Sequence, residues 1–151
     1  MTTNVVSYKR PESVLVVVYS ACAKVLLLQR KDDNTFWQSV TGSLLSTETH
    51  PLDAAWRELQ EETGLHEDNG QLRDCHHQQW FDIYAHWLYR YEPGVTRNLE
   101  HVFSFEVKKP LTIRLSHEHL NYCWLTKEAA MEKVISTTNR EAILKFVEAK
   151  A

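Results

Sequence analysis

The sequence predicts an α/β fold in which a mixed β-sheet is covered by helices on both faces. Short apolar, β-branched runs alternate with segments of helical periodicity. No linker, repeat or low-complexity tract interrupts that alternation. A chain of 151 residues with 43% hydrophobic content also makes one domain, 1–151, long enough for a proper core.

Val14 to Tyr19 and Lys24 to Gln29 are aliphatic runs that read as an opening hairpin. Phe36 to Thr41 is a short strand that delivers the chain to a loop. A helix follows, with Thr49 as N-cap, Pro51 in its first turn and Gly64 in the left-handed position past its end. Leu52, Ala55, Trp56 and Leu59 follow i, i+3, i+4, i+7 and form its apolar stripe. Two longer β segments come next, Leu72 to Tyr84 and Ala85 to Tyr91, then Glu100 to Val107 and a last strand, Tyr122 to Leu125. Thr126 caps a helix from Lys127 to about Ile135. The final helix runs from Asn139 to Ala149, with Ala142, Ile143, Phe146 and Ala149 toward the core.

Composition narrows the function classes. A formal net charge of −3 gives no broad electrostatic grip on a nucleic-acid polymer. No apolar run approaches membrane-spanning length. The first one lies behind Lys9, Arg10 and Pro11 and is too short for a secretory signal. Cys22, Cys75 and Cys123 are odd in number and far apart, which favours reduced thiols in a cytoplasmic setting. Nothing in the sequence sets the oligomeric state.

The chemistry lies in Arg57-Glu58-Leu59-Gln60-Glu61-Glu62-Thr63-Gly64-Leu65. At about 100° per residue, Glu58, Glu61 and Glu62 fall within roughly a 100° arc of the helix, opposite its apolar stripe. Like charges at i,i+3 and i,i+4 cost a few tenths of a kcal/mol each. They also stand at the end of the helix that the macrodipole makes unfavourable for anions. A bound cation offsets both penalties, with Arg57 able to brace Glu61. The bland alternative is an amphipathic helix with a solvated acidic face.

With Gly42 and Glu48 ahead of it, this segment resembles the Nudix box, G-x5-E-x7-R-E-U-x-E-E-x-G-U, where U is a bulky aliphatic residue. One departure is plain: eight residues, not seven, separate Glu48 from Arg57, the extra one lying within Thr49 to Pro51. The resemblance implies an α/β/α sandwich and a hydrolase that cleaves a diphosphate linked to another moiety. It also implies Mg²⁺, with Mn²⁺ as an alternative, held by Glu58, Glu61 and Glu62, with Gly42 lending a carbonyl and Arg57 orienting a glutamate. Oxygen-ligated Mg²⁺ suits this work because it neutralises phosphate charge and aims a water at phosphorus.

Further segments resemble one subgroup of that family, whose substrate is a pterin triphosphate. They are Tyr8 to Pro11, Leu28 to Arg30, Phe36 to Ser43, Arg90 to Asn98, Glu118 to Leu120, Trp124-Leu125 and Asn139-Arg140. This likeness implies substrate contacts at Lys9, Arg30, Thr41, the stretch Phe81, Asp82, Ile83 and Tyr84, and Ser136, with Glu118 as a further metal-site acid. Lys9 and Arg30 suit phosphate oxygens, and Phe81 and Tyr84 suit a flat ring.

The expected reaction is Mg²⁺-dependent conversion of 7,8-dihydroneopterin 3′-triphosphate to the monophosphate and pyrophosphate, a step of folate biosynthesis. The general base is open between a helix glutamate and Glu118. His117 or His119 stands near the phosphates as a donor, the alternative being a transition-metal site. His76 and His77 carry no assigned role. Other readings are a (d)NTP or nucleoside polyphosphate pyrophosphohydrolase, a non-catalytic nucleotide sensor, and a structural or partner-binding domain.

Overall fold

The computed structural model describes residues 7–149. Its centre is a seven-stranded mixed sheet made of β1 (Glu12–Ser20), β2 (Lys24–Arg30), β3 (Trp37–Gln38), β4 (Val40–Ser43), β5 (Gly70–Asp82), β6 (Arg97–Val107) and β7 (His119–Thr126). Three helices cover it: α1 (Pro51–Thr63), α2 (Lys127–Lys133) and α3 (Thr137–Phe146). β1 runs parallel to β6 from Glu12↔Leu99 to Ser20↔Val107. The other pairings are antiparallel: β1 with β2 and β4, β2 with β3 and β7, and β5 with β6.

β1 is buried on both faces, so its apolar run is nearly continuous. Alternation sends Val14, Val16 and Val18 into one core with Leu59, Ala54 and Ala55 of α1. Leu15, Val17 and Tyr19 enter the other, with Ala130 of α2 and Ala142 and Ile143 of α3. Each fully buried aliphatic side chain in these layers contributes about 1.5–3 kcal/mol. The layered architecture is the one expected, with helices on both faces.

Several element boundaries differ from the sequence expectations, each for a local reason. Phe36 to Thr41 is not one strand: it splits at Ser39, where the chain leaves β2 and joins β1. There Asn139 holds Ser39 from the other end of the chain, its Oδ1 accepting the Ser39 N–H at 2.9 Å and its Nδ2 donating to Ser39 Oγ at 2.9 Å. Ala85–Arg90 is a 3₁₀ segment, not a strand. A 3₁₀ turn eclipses residues i and i+3, which sets Tyr84 and Trp87 side by side, both edge-on to Phe36 with ring centroids 5.2 and 5.1 Å away.

Helix ends shift too. His50 occupies the N-cap of α1 without a side-chain bond, so Thr49 is not the cap, and Leu52 is exposed where Ala54 takes its core position. Gly64 ends α1 in the left-handed conformation, φ 75°, its N–H donating to Gln60 O. Thr126 caps α2 as expected, accepting from Ala129 N, but that helix stops at Lys133 and leaves Ile135 exposed. Ser136 caps α3 by accepting from Asn139 N, so α3 begins earlier than expected. At the other end, Val147 turns extended and fills the core, and Ala149 lies outside the helix, exposed. His76 (φ 51°) sits in a bulge of β5 between Asp74 and His77.

No helix among the described residues is long and apolar enough to cross a membrane. Cys22, Cys75 and Cys123 are free thiols.

Candidate active site

One large cleft, about 1850 Å³, runs from the carboxylate face of α1 along the end of the sheet toward the N-terminus of α3. It opens where β4 leaves β1, and α1 is packed across that corner. A Cβ built on Gly42 would fall 2.1 Å from Cδ of Glu58, so only glycine lets the helix carboxylate lie on the strand.

Two of the three helix glutamates are not solvated. Glu58 and Glu62 are buried, whereas the Glu61 side chain is 58% exposed. Burial raises the Glu58 carboxyl to about 7, even against the pull of Arg57. Burial raises Glu62 well above the ordinary carboxylate range, and the fields of Glu58 and Glu118 push it further. Glu62 Oε2 accepts the Thr41 N–H at 3.1 Å, and Thr41 Oγ1 donates to Val14 O. Glu62 Oε1 lies 3.4 Å from His119 Nε2. Burial lowers the His119 pKa, so the neutral imidazole is favoured beside it.

Arg57 organises this corner. Its Nη1 meets Glu58 Oε1 at 2.6 Å and reaches Glu61 Oε2 only at 3.4 Å, so its main partner is not the expected Glu61. Its Nη2 donates to Ser43 O at 3.0 Å and to Glu48 Oε1 at 2.8 Å. The one-residue lengthening is therefore absorbed ahead of Pro51 without separating Glu48 from Arg57. Arg10 ties the same loop, donating to Glu48 O at 2.7 Å and Leu45 O at 3.2 Å.

A cationic group faces the same cleft. Arg30 forks onto Asp32 at 2.8 and 2.7 Å while its guanidinium stacks 3.9 Å from the Trp87 ring centre. Arg90 also donates to Asp32, at 2.9 Å. The Arg30 bond holds the Asp32 carboxyl down to about 2. Lys9 donates its backbone N–H to Arg90 O at 2.8 Å. Its side chain stays open to solvent, yet protein crowds the concave surface around it, and that crowding, with Arg90 and Arg30, lowers its pKa. Asp32 is the one carboxylate hydrogen-bonded to Arg30 and Arg90 among the described residues, so this group keeps positive charge for an anion.

The structure gathers Lys9, Arg30, Thr41, Gly42, Glu58, Glu61, Glu62, Phe81, Ile83, Tyr84, Glu118 and Ser136 along this cleft. Asp82 is the exception: strand alternation turns it outward at the end of β5, exposed and off the cleft lining. Glu118 is exposed in a turn at the cleft mouth, and its backbone carbonyl accepts from Lys31 N. His117 and His119 both line the cleft. Sequence reasoning did not single out Arg90, Trp87, Asn98 or Glu100 for this site. The Arg90 to Asn98 motif was a signal for two of them. Glu100 had none, since in the sequence it is a single glutamate beside a leucine, as surface glutamates often are.

The residues fit a divalent cation. Two buried carboxylates with raised pKa values sit in contact range of a glycine strand and lack enough positive charge to ionise easily. Oxygen donors of this kind suit a hard ion. Among the described residues no three His, Cys, Asp or Glu side chains already stand at metal-ligand spacing. Glu61, turned toward Arg57, and Glu118, at the mouth, flank the buried pair.

Comparison with known proteins identifies the family. The model of the NUDIX domain family matches residues 9–146. The chain is 46% identical over 143 residues to a dihydroneopterin triphosphate diphosphatase of Haemophilus influenzae, covering 93% of this chain and 89% of that protein. It is 47% identical over 143 residues to the protein of the same description from Escherichia coli K12, covering 93% and 94%. The solved E. coli dihydroneopterin triphosphate pyrophosphohydrolase superposes with a TM-score of 0.88 at 45% identity, covering 93% of this chain and 97% of that one.

Proposed function

Because the chain belongs to the NUDIX family, we propose that it is a Mg²⁺-dependent pyrophosphohydrolase converting 7,8-dihydroneopterin 3′-triphosphate to the monophosphate and pyrophosphate, in folate biosynthesis. The observation that carries this reading is the buried Glu58 and Glu62 pair in one cleft with Lys9, Arg30 and Arg90. Carboxylates for a metal and cations for phosphate, side by side, are what cleavage of a phosphoanhydride requires. The relatives described as acting on this pterin support the substrate.

A divalent ion bound at this corner would neutralise phosphate charge and activate a water. Glu58 and Glu62, with Glu61 and Glu118 beside them, would hold it, and the Gly42 carbonyl borders the same space. Arg57 and the Thr41 N–H keep the two buried carboxyl groups in place. Lys9, Arg30 and Arg90 take the phosphate oxygens, Arg30 already immobilised by Trp87 and Asp32. Glu118, whose carboxylate carries no hydrogen bond among the described residues, or a helix glutamate would accept the proton of the attacking water. Phe81, Ile83 and Tyr84 border the ring, and Ser136 lies at the same end of the cleft. Mn²⁺ would serve in place of Mg²⁺ by the same oxygen chemistry. The three free thiols suit a cytoplasmic enzyme.

The test is pyrophosphate release from 7,8-dihydroneopterin triphosphate and from dATP, with Mg²⁺ and with EDTA. Metal-dependent release favouring the pterin is the expected result. Release from dATP alone would keep the chemistry and reassign the substrate to nucleotides, and silence on both would point to a sensor.

A further inference from the structure

We propose that Glu100 and Asn98 form the ring-reading end of the cleft, their side-chain oxygens accepting two adjacent N–H groups of a flat heterocycle, an aminopyrimidinone edge, beside Phe81. The inference rests on the substrate reading above and names the residues that would make it selective.

Strand register sets the arrangement. Glu100 pairs with Gln79 on β5 and with Ser13 on β1, and Asn98 pairs with Phe81. These five side chains therefore share one face of the sheet, and Ser13, Phe81, Asn98 and Glu100 line the cleft. Glu100 is 5% exposed and Asn98 0%. Surface charges at a sheet edge do not look like this.

Their hydrogen bonds leave acceptors over. Glu100 Oε1 receives Gln79 Nε2 at 2.8 Å and Thr138 Oγ1 at 3.4 Å, whereas Oε2 receives none among the described residues. Asn98 Nδ2 donates to Ser13 Oγ at 2.6 Å, and its Oδ1 is the single buried side-chain polar atom without a partner among the described residues. Buried acceptors are normally satisfied, so the open Asn98 Oδ1, beside the unused Oε2 of Glu100 on the cleft lining, calls for a ligand that brings donors.

The charge pattern orients that ligand. Lys9, Arg30 and Arg90 draw the polyphosphate to their part of the cleft, which leaves the uncharged ring for this cation-free end. With Oε1 taken by Gln79 and Thr138, Glu100 Oε2 and Asn98 Oδ1 each have room for one N–H, so the pair suits a ligand with two adjacent donors. The ring N–H and exocyclic amino group of a pterin or guanine present such a pair. Adenine offers its amino group flanked by ring nitrogens that are themselves acceptors, and these would face the oxygens unfavourably.

The experiment measures kcat and KM of the Mg²⁺-loaded wild type, Glu100→Gln and Asn98→Leu on 7,8-dihydroneopterin triphosphate, dATP, dGTP and dITP. The last differs from dGTP by the missing amino group. Melting temperatures check that each variant is folded. Glu100→Gln should reduce the pterin-to-dATP ratio of kcat/KM by roughly 10- to 100-fold, chiefly through KM. The dGTP-to-dITP preference should collapse with it, and Asn98→Leu should act in the same direction. Equal losses on all substrates, or none, would overturn the proposal and leave Glu100 a structural carboxyl. Should wild type ignore the pterin, the substrate reading fails, and the dGTP-to-dITP ratio alone still decides the role of Glu100. If neither variant folds, titrating wild-type tryptophan fluorescence with unphosphorylated 7,8-dihydroneopterin and with adenosine decides: preference for the pterin supports the proposal, and none overturns it.

Discussion

Arg57 and Glu48 meet at 2.8 Å across the turn that precedes α1, and the same guanidinium holds Glu58 at 2.6 Å. One arginine thus fixes both the loop and the metal-side carboxyl. Glu48→Gln should lower stability by about 1–2 kcal/mol, the worth of a charge-assisted bond in a partly buried site. The shift of the urea midpoint measures this, and an unchanged midpoint would mean that Glu58 alone anchors Arg57.

Glu62→Gln should separate stability from catalysis. The wild-type carboxyl is buried and pushed up in pKa, so a neutral amide is easier to bury and the metal-free melting temperature should rise. Turnover should fall by about 10²-fold or more, as expected when a group acting on the transition state is lost. Adding Mg²⁺ should raise the wild-type melting temperature and do so much less for the variant. Wild-type-like turnover at saturating Mg²⁺ would remove Glu62 from the metal set.

Gly42→Ala tests the close approach of strand and helix. The new methyl has no room beside the Glu58 carboxyl, so that side chain has to swing off β4. Activity should drop by about 10-fold or more while circular dichroism stays native. Full activity would show that the position of Glu58 on the strand is dispensable.

Much of this was legible in the sequence, and what was not has identifiable causes. Both the β1 run and the α1 periodicity are strong local patterns, which is why the layers and the helix fell where expected. Burial of Glu58 and Glu62 was not legible, since a helix pattern shows which residues share a face but not that a glycine strand will cover it. Nor was the 3₁₀ turn at Ala85–Arg90: its aromatics suit a strand equally well, and packing of Tyr84 and Trp87 on Phe36 decides between them. Glu100 is invisible locally because its burial comes from register with β1 and β5.

Glu100 also sets a pH dependence. Burial raises its carboxyl from an ordinary 4.5 to about 7. The folded state therefore holds that proton more tightly than the unfolded chain. The stability this confers is complete below pH 4.5 and is lost as pH rises to about 7. In the ligand-free, metal-free protein, urea midpoints should fall between pH 5 and 7.5, and Glu100→Gln should flatten part of that fall. Parallel curves for the two proteins would contradict the assignment.

The paired hydrogen bonds between Ser39 and Asn139 span 100 positions of sequence. Ser39 is the point at which the chain turns from β2 toward the glycine strand, so the corner that seats α1 is secured by a residue near the far end. A nascent chain leaving the ribosome cannot make this link until Asn139 has emerged, and β2 likewise waits for β7. Assembly of the cleft is thereby a late event of synthesis, governed by contacts of long sequence separation that close slowly.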